Sequence, residues 1–269
     1  MIDALSLGFM QRAFVAGILI SLLCGLFSVF VLLKRLSFIG VGISHSAFGG
    51  VSLGYFLGIN PTLSAVLFSG AIALLIGFMN RRGKLHEDTA IGIFFALTMA
   101  LGIFFIGISK KYNVDLFGYL FGNILAITRA DLILVCVAAP LILIVLGAMF
   151  KELLFLSFDE EVAIVSGIAV APIYYLFLLL MAIAIILAIK VVGIILVSAL
   201  LVLPAATARQ LTNNYRAMTA WSVVLGVAST IAGLFLSYYL DLPSGATIVL
   251  FAGFLFFLSL IYSTFSRRH

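Results

Sequence analysis

Along almost its whole length the chain alternates long apolar runs with short polar interruptions. Reading outward from each charged position gives runs at Ala13–Leu33, Leu36–Ile59, Thr62–Met79, Thr89–Ser109, Leu132–Phe150, Ile168–Ile189, Val191–Ala208, Ala217–Leu240 and Leu242–Ser266. Each has about the 17 to 25 residues that an α-helix needs to cross the hydrocarbon layer of a bilayer. Inside lipid every backbone N–H and C=O must be paired within its own segment, so runs of this length predict helices, because barrel strands are shorter and alternate. The pattern predicts an all-α membrane protein with about nine transmembrane helices, eight to ten being compatible with the soft run edges, in one membrane domain over residues 1–269. The first run is too long for a secretory signal core and has only Arg12 as a basic residue before it, so it reads as a retained helix.

Composition supports the same class, since 65% of the 269 residues are hydrophobic and only 9% are charged, against about 25% charged in soluble domains. Placing alternate loops on two sides puts Lys34, Arg35, Arg81, Arg82, Lys84, Lys151, Arg209, Arg216, Arg267 and Arg268 on one and Arg12, Lys110, Lys111, Arg129 and Lys190 on the other, ten of the 15 basic residues against five. The richer side is expected in the cytoplasm, which leaves the amino terminus outside and the carboxyl terminus inside. The net charge of +5 is accounted for by this asymmetry and by anionic lipid, and it calls for no nucleic-acid partner. Cys24 and Cys136 stand singly in apolar runs without metal-ligand spacing and read as packing residues.

Against this background Ser157-Phe-Asp-Glu-Glu-Val-Ala-Ile-Val-Ser-Gly167 stands out, with three of the ten acidic residues at consecutive positions. Ser157 and Glu160 have capping-box spacing, which predicts a helix of about three turns over 157–167. Asp159, Glu160 and Glu161 fall in its first turn, Phe158, Val162 and Val165 share an apolar face, and Gly167 ends it. The alternative is a solvated loop between two spans.

At membrane depth His45 is the one ionisable side chain well inside a run. A titratable group there is costly unless it faces protein or water, and neutral imidazole is a common transition-metal ligand. A histidine hydrogen-bonded to a neighbouring helix is the competing reading. On an adjacent face Gly42, Ser46, Gly50 and Gly54 recur every fourth residue, the spacing of a close-packed helix seam. The stretch 115–128 is apolar but shorter than a span and reads as an interfacial or re-entrant helix. Pro204 lies within the seventh run and predicts a kink, and Lys190 is accounted for by snorkelling to the interface.

Enzymatic readings find little support, because His86-Glu87 is not followed by the second histidine of H-E-x-x-H and no serine, histidine and acid set occurs at depth. An ion-coupled carrier ordinarily keeps carboxylates near the bilayer midplane, and the apolar runs contain none. Energy is then expected to arrive through the acidic helix.

The segment Glu161-Val-Ala-Ile-Val-Ser-Gly167 resembles the Glu-Ala-Ala-x-x-x-Gly coupling loop by which permeases of ATP-binding-cassette importers dock on their nucleotide-hydrolysing subunits. Phe38-Ile-Gly-Val-Gly-Ile-Ser-His-Ser-Ala-Phe-Gly-Gly50, Leu120-Phe-Gly-Asn-Ile-Leu125, Phe158-Asp-Glu-Glu161 and the stretch from Val192 to Ala208 are similar, in the same order, to permeases of bacterial zinc and manganese importers. The resemblance covers residues 11 to 262. It implies a homodimeric pore, two cytoplasmic ATP-binding subunits, an external metal-binding protein, no tightly bound cofactor, no hydrolysis by the permease itself, and zinc, manganese or iron as cargo. The implied fold is that of the vitamin B12 and iron-siderophore permeases without their first helix.

By the same resemblance Phe158, Asp159, Glu160, Glu161, Ala163 and Gly167 couple to the ATPase, and Ser44 and His45 line the path. Lys110, Lys111, Asp115, Gly122 and Asn123 belong to the outer gate or the binding-protein contact, and Pro204 to a hinge. One departure stands out: many metal permeases carry an aspartate one turn before the histidine, where this chain has Val41. That leaves a weak staging point at His45, a ring with its dimer mate, or no metal site there, and it keeps a metal chelate open as cargo.

Overall fold

The computed structural model describes residues 7–83, 87–109 and 127–266. The apolar runs become helices: α1 (Gly8–Leu33), α2 (Ile39–Leu57), α3 (Pro61–Arg81), α4 (Glu87–Ser109), α5 (Arg129–Ala148), α6 (Phe150–Phe158), α7 (Glu160–Val165), α8 (Val170–Val192), α9 (Ile194–Leu200), α10 (Leu203–Leu211), α11 (Tyr215–Leu240) and α12 (Ser244–Ser266). Among the described residues eight segments are long and apolar enough to cross a bilayer, with α9 and α10 together forming one of them. The remaining expected span is α2, whose glycines, serines and histidine lower its hydropathy while its length stays at 19 residues.

In this fold α1 packs against α5, α8 and α11, α2 lies between α3 and α4, and α10 joins α11 and α12. Phe27, Phe30 and Phe177 are fully buried where α1 meets α8. The outward faces of α3, α4, α5 and α12 carry large exposed apolar side chains such as Leu67, Ile103, Ile144 and Leu250. A surface of that kind matches lipid or another apolar face instead of water.

The small-residue row on α2 is a packing seam. A Cβ added at Gly50 would lie 2.7 Å from the Ala65 Cα of α3, and Ser46 Oγ hydrogen-bonds to Ser69 Oγ at 3.0 Å. The two backbones approach so closely that only hydrogen fits at Gly50.

The sixth and seventh runs are divided differently from expectation. Helix α8 continues through Lys190 to Val192, and the turn falls at Gly193, whose φ is +82°. The seventh run is broken into α9 and α10. Pro204 therefore opens the second helix, at N1/N2, where its missing N–H removes no intrahelical bond, and does not kink a continuous one. Ser28 of α1 supports this break: its Oγ donates to the Val202 carbonyl at 3.4 Å and accepts from the Ala205 N–H at 3.1 Å.

Candidate functional site

The acidic element is helical but is built differently from the capping-box prediction. Ser157 belongs to the last turn of α6, and its hydroxyl donates back to the Leu153 carbonyl at 2.7 Å, so it caps nothing. Asp159 breaks the helix with extended backbone (φ −155°, ψ 111°) and caps α7, its Oδ1 accepting from the N–H groups of Glu161 at 2.9 Å and Val162 at 3.1 Å. The regular part of α7 is thus six residues, shorter than three turns. Gly167 ends it as foreseen, at φ +79°, with Gly167 N–H bonded to Ile164 O and Ile168 N–H to Ala163 O, the paired bonds of a Schellman motif.

The six-residue helix is held by one small contact and offers the rest outward. Ala163 is fully buried in the main apolar core, whereas Phe158 is 66% and Val165 89% exposed. The predicted apolar face therefore points away from the molecule. Glu160 pairs with Arg81 at the end of α3, Oε1 to Nη1 at 2.9 Å. Beside this pair Lys34 donates to the Leu156 carbonyl at 3.2 Å, and Lys34 and Arg81 both stand over the ring of Tyr174, at 5.2 and 5.9 Å. Sequence reasoning found the acids but not Arg81 or Tyr174 as their neighbours, since no local pattern links α3, α7 and α8.

About two turns into α2, His45 is half-buried and packs edge-to-face on Phe95 of α4, with centroids 4.7 Å apart. It makes no hydrogen bond to a described residue, and its Nδ1 is buried without a partner, as is the Oγ of Ser44. The competing reading of a histidine tied to a neighbouring helix by a hydrogen bond therefore fails for the described residues. Phe95 also lines a groove of about 340 Å³ between the starts of α2 and α4, together with Phe38, Val41, Asp88, Ile91 and Gly92. Asp88 was passed over because the apolar run begins after it. In the structure its helix begins one residue earlier, at Glu87, which sets Asp88 on the groove that Val41 lines. Among the described residues no three His, Cys, Asp or Glu side chains converge.

At the opposite end of the bundle Lys190 is ion-paired with Asp131, Nζ to Oδ1 at 2.6 Å, in place of the snorkelling expected. Asp131 also closes a capping box with Thr128 at the start of α5, a signal present in the sequence as Thr-x-x-Asp. Thr128 is extended, so the predicted short helix does not reach it. Arg12 Nε donates to the Ile127 carbonyl at 2.9 Å. The rest of that predicted helix, and with it Lys110, Lys111, Asp115, Gly122 and Asn123, lies outside the described residues.

Comparison with known proteins places these features in a family. The model of the ABC 3 transport family matches residues 6–263. The manganese transport system membrane protein MntC of Listeria innocua is 38% identical over 256 residues, covering 95% of this chain and 91% of that protein. The high-affinity zinc uptake system membrane protein ZnuB of Haemophilus influenzae is 34% identical, covering 92% and 95%. Among solved structures, PsaBC from Streptococcus pneumoniae in complex with Fab superposes with a TM-score of 0.85 at 35% identity, covering 96% of this chain and 93% of that one. A metal-chelate type ABC transporter in an inward-facing conformation gives 0.76 at 19% identity, covering 94% and 86%, and shares the fold. The chain belongs to the ABC 3 transport family.

Proposed function

We propose that this chain is the membrane-spanning permease of an ATP-binding-cassette importer that carries a divalent transition-metal ion, manganese or zinc. The observation that carries the reading is α7: a short capped helix at one end of the bundle, with bare apolar side chains at Phe158, Val162 and Val165 beside an acidic first turn. Such a surface is suited to docking a partner, because exposed apolar residues rimmed by charge mark interaction sites. The partner is a cytoplasmic ATP-binding subunit, one for each of two permease copies, and ATP binding and hydrolysis there move α7. The α7 end, which also holds Lys34, Arg35 and Arg81, faces the cytoplasm by the distribution of basic residues, and the amino terminus faces outward. The permease performs no hydrolysis.

The metal passes the α2–α4 side of each copy. Among the described residues His45 offers an imidazole with no competing hydrogen bond and Ser44 an unpartnered hydroxyl, and Asp88 stands as a carboxylate at the groove mouth. With Val41 in place of a carboxylate, the His45 level is a staging point and not a tight site, as conduction needs sites weak enough to release their ion. Manganese and zinc are favoured by the names of the relatives at 34–38% identity. An external binding protein delivers the ion to the face that bears Asp131 and Lys190, and Lys110, Lys111, Asp115, Gly122 and Asn123 serve the outer gate or the contact with that protein. Pro204 and the α9–α10 break supply a hinge.

The test is uptake of ⁵⁴Mn²⁺ and ⁶⁵Zn²⁺ into proteoliposomes holding the permease with its ATP-binding subunit, supplied with the binding protein. Uptake should require ATP hydrolysis; uptake driven by an ion gradient without ATP would reject the importer reading.

A further inference from the structure

Beneath α7 lies a cavity of about 390 Å³ whose lining includes Lys34, Arg35, Asn80, Arg81, Glu160 and Tyr174. Three of these side chains are cationic and one is anionic, so the cavity carries a formal charge of +2. Glu160 is engaged by Arg81 at 2.9 Å. Tyr174 is only 3% exposed, and its ring forms a fixed floor beneath Lys34 and Arg81, with its hydroxyl accepting from Asn80 Nδ2 at 3.3 Å.

Arg35 is the informative member. The last turn of α1 closes with Arg35 N–H bonded to Leu32 O and Leu36 N–H to Val31 O, the same paired pattern that ends α7. Its left-handed position is filled by Gly167 at α7 and here by an arginine at φ +58°. An L side chain pays roughly 1–2 kcal/mol in that conformation. The other described non-glycine residue at positive φ is Asp241, a type that tolerates it. The strained residue places a guanidinium on the cavity, where it makes no hydrogen bond or ion pair to a described residue. A strained residue with an unused charge at a concave site points to a ligand that uses the charge.

We infer that this cavity binds a phosphate group, held by Arg35, Lys34 and Arg81. It sits where α1 and α3 leave their apolar runs, the depth of lipid headgroups, so the phosphate belongs to an anionic phospholipid or to a soluble phosphate. Arg81 is shared between that group and Glu160, so occupancy competes with the ion pair that ties α7 to α3. The inference concerns binding alone and stands whether or not the chain imports metal.

The full-length chain in phosphatidylcholine nanodiscs is titrated with phosphatidylglycerol, and separately with inorganic phosphate, with binding read by native mass spectrometry and by melting temperature. The discriminating variant is Arg35→Gly, which removes the charge and relieves the left-handed strain, so loss of binding cannot be ascribed to misfolding; Arg35→Gln serves as the neutral counterpart that keeps the strain. Wild type should bind one arm's ligand, and each variant should weaken it about fivefold, as expected for one basic residue at a membrane surface. Phosphatidylglycerol alone giving this pattern identifies a headgroup, and inorganic phosphate giving it identifies a soluble anion. Binding of neither, or equal binding by wild type and both variants, overturns the proposal.

Discussion

Removing the cap of α7 separates the two ways of starting that helix. Six residues cannot hold a helix alone, since isolated helices need about 12–15 residues in water, so α7 depends on its ends and on Ala163. Asp159→Ala deletes the acceptor for two backbone donors, at 2.9 and 3.1 Å, a loss of about 1 kcal/mol for an N-cap. By comparison, the half-exposed Arg81–Glu160 pair is worth at most about 1 kcal/mol after screening. A loss of about 1 kcal/mol opens α7 roughly fivefold more often. Amide hydrogen–deuterium exchange of peptides covering 158–168, at conditions where exchange reports the open population, should then quicken about fivefold in Asp159→Ala. In Ser157→Ala it should be unchanged, because that hydroxyl bonds to Leu153 within α6. Equal acceleration in both variants, or none in Asp159→Ala, would refute the assignment of the cap.

Glu160→Gln should leave the melting temperature unchanged, since exposed pairs contribute about 0–1 kcal/mol, yet lower ATP-dependent uptake several-fold; normal uptake would remove Glu160 from the port. His45→Ala should leave folding intact and reduce metal uptake about tenfold, with Asp88→Asn acting in the same direction at limiting metal; radiotracer uptake beside a thermal melt checks both. Gly50→Val should destabilise by about 1–3 kcal/mol or more through overpacking against Ala65, measured as a fall in melting temperature. Gly253→Ala, where an added methyl meets nothing within 4 Å, should show no such fall.

The spans were legible because hydrocarbon leaves a chain few options: an apolar run of sufficient length must pair its own backbone, and nine runs gave the helices α1 to α5 and α8 to α12 with small edge errors. Edges failed where a polar residue sits inside a helix that continues past it, as at Asp88, Asp131 and Lys190, since charge placement marks the end of hydrophobicity and not the end of hydrogen bonding. The seam at Gly50 was readable from its fourfold spacing. Ser157 misled for a local reason, because Ser-x-x-Glu scores as a cap only if the serine leaves the preceding helix, and α6 instead runs through it to Phe158. Contacts between distant elements, Arg81 to Glu160 and Arg35 on the cationic cavity, leave no local signature and needed the fold.

These contacts also limit how a push on α7 reaches the candidate path. Helix α7 touches the body through buried Ala163 and through the Glu160–Arg81 pair. Ala163 enters the core; Arg81 ends α3, which meets α2 backbone to backbone at Gly50 and through the Ser46–Ser69 hydrogen bond. A seam with no free volume cannot absorb displacement by side-chain rearrangement, because packed interiors deform little. A shift of α3 therefore carries α2 with it, and with α2 His45. The α9–α10 hinge lies off that route, since Ser28 bonds on both sides of the break and couples it to α1. Of the two routes the short one through α3 has the fewer compliant joints, with its single exposed ion pair as the weakest, and the phosphate cavity opens onto that same joint.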